Sequence, residues 1–110
     1  MSLDATLDVT AHADAVTFAF TISNAGDDSV ELSFPDGCKA DFVVESEGAE
    51  RWRWSEGRMF TQMLETQTLA PGESVIYEGE WDAPEEGEYT ARAALQATNY
   101  DLEATAAFVA

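Results

Sequence analysis

The chain has 110 residues, 22 acidic and 5 basic, for a net charge of −17, and 45% of its residues are hydrophobic. That length suits one domain over residues 1–110, since domains commonly run about 100–150 residues, and the apolar share supplies a core that argues against disorder despite the charge. With only Lys39, Arg51, Arg53, Arg58 and Arg92 to oppose the acids, nucleic acid and anionic membranes are excluded as partners, because phosphate binding needs clustered Lys and Arg.

Period-two alternation dominates the chain, and it places every second side chain on one face of a strand. Leu3, Ala5, Leu7 and Val9 alternate with Asp4, Thr6 and Asp8. After a short connection over Ala11–Asp14, Val16, Phe18, Phe20 and Ile22 alternate with Thr17, Ala19 and Thr21. This stretch is far short of the ~18 apolar residues of a membrane span. Asn24-Ala25-Gly26-Asp27-Asp28 reads as a turn of small polar residues. Val30, Leu32 and Phe34 form the next strand, closed by Pro35-Asp36-Gly37. Ala40, Phe42 and Val44 follow, then a turn at Glu47-Gly48-Ala49.

Trp52 and Trp54 share one face, with Arg51, Arg53 and Ser55 on the other. Ser55–Leu64 breaks the alternation and reads as a loop with one helical turn over Phe60–Leu64. Thr66–Leu69 is a short strand, and Ala70-Pro71-Gly72-Glu73 a turn. Val75, Tyr77, Gly79 and Trp81 share a face, with Gly79 marking a bulge or a close approach. A loop over Pro84–Gly87 precedes Tyr89, Ala91, Ala93 and Leu95, and Ala104, Ala106 and Phe108 form the last strand. Seven to nine short strands separated by turns predict an all-β, immunoglobulin-like antiparallel β-sandwich. Gly87-Glu88-Tyr89 suits the tyrosine corner of such folds.

Catalytic and metal chemistry find little material. His12 is the one histidine and stands in a turn-like stretch, which suits a solvated side chain better than a triad base. Cys38 is the one cysteine, so no internal disulfide forms. The pair cannot supply a zinc site. Close carboxylate pairs arise by chance among 22 acids. Asn24 with Asp27-Asp28, or Asp82 with Glu85-Glu86, gathers oxygen atoms but lacks calcium-loop spacing. No catalytic residue, cofactor or metal is therefore expected.

The most informative segment runs from Arg51 to Leu64 and holds three of the five basic residues and two of the three tryptophans. Arg and aromatic residues are enriched at binding hot spots. Its partner-contact candidates are Arg53, Arg58, Met59, Phe60 and Gln62. The structural reading of the same stretch puts the Trp pair in the core, lets the arginines neutralise carboxylates, and uses Met59, Phe60, Met63 and Leu64 to plug one end of the sandwich.

Trp52-Arg53-Trp54-Ser55-Glu56-Gly57-Arg58-Met59-Phe60-Thr61-Gln62 resembles the signature of the BsuPI family, the intracellular proteinase inhibitor domain. Phe34, Asp36-Gly37 and Ala40-Asp41-Phe42 extend the likeness, as do Leu69-Ala70-Pro71-Gly72-Glu73, Tyr77, Trp81, Pro84, Gly87 and Tyr89. The resemblance implies an immunoglobulin-like sandwich acting without catalysis as an inhibitor of an intracellular serine protease. It carries over no reactive-site residue. The alternative is a general protein-interaction or scaffold module without inhibitory activity, since such folds host many functions. A cytoplasmic monomer is expected, no signal peptide being visible. The acid excess, with 18 Ala and a single Lys, is of the kind found in halophilic archaea, where molar salt screens self-repulsion.

Overall fold

The structure, a computed structural model, describes residues 3–82 and 84–110. The described residues form nine strands, joined by turns and loops, and no helix. They are β1 (Leu3–Ala11), β2 (Ala15–Asn24), β3 (Val30–Phe34), β4 (Ala40–Ser46), β5 (Ala49–Arg53), β6 (Glu65–Leu69), β7 (Ser74–Asp82), β8 (Glu88–Leu95) and β9 (Glu103–Val109). One sheet has the order β1-β2-β7, a second β5-β4-β8-β9, and β3 pairs with β6. All pairings are antiparallel.

The two larger sheets meet through the alternating apolar faces. Val16, Phe18, Phe20 and Ile22 of β2 are fully buried. Phe18 stacks on Phe42 of β4 with centroids 5.6 Å apart, and Phe42 meets Trp54 edge-on at 5.9 Å. Gly79 lies opposite Phe18 in the β2–β7 register. A Cβ there would stand 2.8 Å from the Phe42 ring, so the glycine marks a close approach between sheets. Val30, Leu32 and Phe34 of β3 and Leu69 of β6 join the same core. The expected tyrosine corner forms: the Tyr89 hydroxyl donates to the Glu85 carbonyl at 2.7 Å.

Four details differ from the sequence reading. Asn24 is not an open turn residue but the buried last residue of β2. Its side-chain amide donates to the carbonyls of Asp28 and Leu69 and its oxygen accepts from Gly26 N–H. Those bonds occupy the amide that the first oxygen cluster would have needed. Strand β4 buries Asp41 and Val43 along with Ala40, Phe42 and Val44, rather than alternating. No helical turn forms over Phe60–Leu64; instead the Thr61 carbonyl accepts the Gly37 N–H at 2.9 Å. The hydrophobic plug is absent as well, because Met59, Met63 and Leu64 are exposed by 99%, 70% and 84%.

Candidate functional site

The loop between β5 and β6 is built on Trp54. Its N–H donates to the Phe42 carbonyl at 2.9 Å and prolongs the β4–β5 ladder by one residue. The indole is half-buried and packs against the core, as does Trp52. Phe60 lies against the Trp54 ring at 5.7 Å. The Arg58 guanidinium stacks over the same ring, 4.4 Å from its centroid, while its Nε donates to the Trp54 carbonyl at 2.7 Å. Cation–π stacking and a charge-assisted bond together fix a side chain that would otherwise wander.

The turn between these anchors is set from below by Asp41. One carboxylate oxygen accepts the Ser55 N–H at 3.0 Å, and the other accepts the Ser55 hydroxyl at 2.6 Å and Arg53 Nη1 at 3.1 Å. Glu56 N–H donates to the Arg53 carbonyl and Arg58 N–H to that of Ser55, both at 3.2 Å. Gly57 has φ +79 with open space around it, so conformation and not crowding calls for glycine there. At the far end Gly37 meets the loop, where a Cβ would lie 2.7 Å from the Thr61 hydroxyl. Lys39 holds Glu65 at 3.5 Å where the loop enters β6.

Of the five candidate contact residues, Arg58 and Phe60 are brought onto one indole ring. Met59 stands between them with its side chain fully exposed, and Gln62 is exposed further along. Arg53 is drawn into the frame, bound to Asp41 and, at 2.7 Å, to Glu50. Those bonds, Glu50 first, raise its pKa above the ordinary guanidinium value. The sequence reading missed Asp41 as the organiser; the signal was a lone acid within Ala40-Asp41-Phe42-Val43-Val44.

The site offers little to catalysis. The Ser55 hydroxyl is given to a carboxylate and not to an imidazole, while His12 is exposed in the β1–β2 turn. Cys38 is half-buried, and its thiol is pushed up to about 11 by burial, with Asp41 and Asp36 adding to the effect. That disfavours the nucleophilic thiolate. Among the described residues no group of three or more His, Cys, Asp or Glu side chains is placed to hold a metal. No helix there is long and apolar enough to cross a membrane.

The family pattern described as intracellular proteinase inhibitor, BsuPI, matches residues 3–100. The chain belongs to the BsuPI family. The match spans Asp41, Trp54 and the whole loop. No curated protein matches the sequence. Among solved structures, the CARDB domain of a Pyrococcus furiosus protein, determined in complex with di-metal ions, is similar at TM-score 0.53 and 16% identity, covering 98% of this chain and 91% of that one. A β-glucosidase from Kluyveromyces marxianus, determined with glucose, gives TM-score 0.54 and 15% identity over 98% of this chain. The β-glucosidase 3B of Thermotoga neapolitana with α-D-glucose gives the same two values. This BsuPI chain spans only 14% of the first glucosidase and 16% of the second, so the likeness concerns the sandwich alone.

Proposed function

We propose that this BsuPI domain acts without catalysis as an inhibitor of an intracellular serine protease, working in the cytoplasm by laying the 54–64 loop into the enzyme's cleft. The observation that carries the reading is Met59: a large apolar side chain held wholly in water between two neighbours pinned to Trp54. A loop already ordered loses less conformational freedom on docking. Met59 enters an apolar pocket, Arg58 and Gln62 flank it, and Phe60 and Arg53 keep the loop in shape. Protease–inhibitor interfaces bury ~800 Å² per partner, roughly an eighth of the 6513 Å² surface of this domain. A monomer is sufficient for this mode.

The test is an inhibition titration of a purified subtilisin-type serine protease with the full chain. Burying a Met side chain is worth about 2 kcal/mol, or roughly thirtyfold in Kd. Met59→Ala therefore weakens inhibition by about that factor while the fold is kept. Absence of inhibition by the unaltered chain at tens of micromolar (~10⁻⁵ M, about 7 kcal/mol) would leave a general interaction module as the better reading.

A further inference from the structure

The five basic side chains are not deployed alike. Lys39 pairs with Glu65, Arg51 with Glu47, Arg53 with Asp41 and Glu50, and Arg92 with Glu45 and Glu103. Arg58 is the exception: no carboxylate among the described residues lies within ion-pair distance of it, although the chain carries 22 acids. Glu56, two residues earlier in the same exposed turn, does not reach it.

Arg58 is nevertheless ordered. Its Nε is committed to the Trp54 carbonyl and its central carbon lies over the Trp54 ring. A guanidinium carries five N–H donors, and the four on the two terminal nitrogens form a fork that fits a carboxylate in bidentate fashion. Among the described residues those four donors meet no hydrogen-bond or ion-pair partner, and Arg58 is exposed next to Met59 in the chain. The rotamer entropy of the arginine is thus already spent before a partner arrives.

We propose that Arg58 is a preformed carboxylate clamp, and that the enzyme receiving this loop carries an Asp or Glu side chain beside the apolar pocket that takes Met59. The inference rests on the inhibitor reading and deepens it. Recognition then has two parts: an apolar residue that fills a pocket, and a cation that selects for one acid next to it. A strongly acidic domain gains specificity from that arrangement, because its remaining surface repels acidic neighbours.

The experiment measures Kd for the full chain and a purified subtilisin-type serine protease at 0.15 M and 3 M KCl, comparing the unaltered chain with Arg58→Gln, Arg58→Lys and Met59→Ala. Melting temperature reports separately on whether the fold and the loop are kept. The expected result is that Arg58→Gln weakens binding tenfold or more at 0.15 M while the melting temperature stays within a few degrees of the unaltered chain. That loss shrinks to under threefold at 3 M, and Arg58→Lys recovers only part of it. Equal losses at both salts, or a loss accompanied by a melting temperature lowered well beyond that, overturn the clamp and leave Arg58 as a loop brace. Arg58→Gln binding like the unaltered chain while Met59→Ala is weakened overturns this inference alone. No binding by the unaltered chain removes the inhibitor reading and the clamp with it.

Discussion

The Asp41 carboxylate, on a central strand of one sheet, accepts both the N–H and the hydroxyl of Ser55, at 3.0 and 2.6 Å, and so joins the core to the base of the 54–64 loop. The carboxylate is 9% exposed, with Arg53 as its cation. Removing it leaves the half-buried Ser55 N–H and hydroxyl and the Arg53 guanidinium without that acceptor, and a lost hydrogen bond to a charged group costs about 1.5–3 kcal/mol. Asp41→Ala is expected to lower stability by about 2–3 kcal/mol in denaturant titration. Under the proposed inhibitor reading it also weakens inhibition, because the base of the loop loses its anchor. Ser55→Ala, which keeps the N–H bond, costs less than Asp41→Ala.

Gly79 and Phe42 set the spacing of the sheets. Gly79→Ala puts a methyl 2.8 Å from a buried ring, and overpacking of a tight core costs roughly 1–3 kcal/mol. Thermal unfolding should show a melting temperature several degrees lower, with no gain in helix or change in strand content by circular dichroism. A melt unaltered by this change would mean that the sheets yield freely at that point.

The Cys38 thiol is raised to about 11, first by burial and then by Asp41 and Asp36. A raised acid pKa means that the folded state favours the neutral thiol. Its contribution is therefore intact below the ordinary value of 9.0 and is lost as pH climbs from there towards 11. Folding stability should fall over that window, and Cys38→Ala should flatten the fall. Alkylation by iodoacetamide at pH 8.5 should be slower in the folded chain than in the chain unfolded by denaturant.

A net charge of −17 with few cations makes the folded state repel itself. Screening contracts from ~10 Å at 0.1 M to ~3 Å at 1 M salt. The melting temperature should therefore climb through a stepwise KCl series from 0.1 to 3 M. A flat series would contradict both the repulsion argument and the halophilic character expected from the acid excess.

Much of the sandwich was legible because a sheet face against a core writes itself as alternation. Phe18, Phe20 and Ile22 are the clearest case. Where both faces of a strand are covered, the rule fails: one face of β4 sends Ala40, Phe42 and Val44 into the core, and Arg53 and Ser55 close over Asp41 on the other. Asn24 was misread because turn residues and buried caps share a chemistry; only the distant Leu69 carbonyl tells them apart. Phe60, Met63 and Leu64 mimic a helical face by spacing alone, but Gly37 takes the Thr61 carbonyl and the loop stays open. The candidate residues Arg58 and Phe60 were found by composition, while the division of labour between Arg53 and Arg58 depends on contacts that no local pattern encodes.

The central claim is that Met59 leads the loop into a protease, and a charge placed there tests it most directly. Titrating a purified subtilisin-type enzyme with the unaltered chain and with Met59→Glu should give strong inhibition by the first and loss of at least a hundredfold (~3 kcal/mol) by the second, with equal melting temperatures. Undiminished inhibition by Met59→Glu would contradict the account, because an ionised carboxylate cannot be buried in an apolar pocket at no cost.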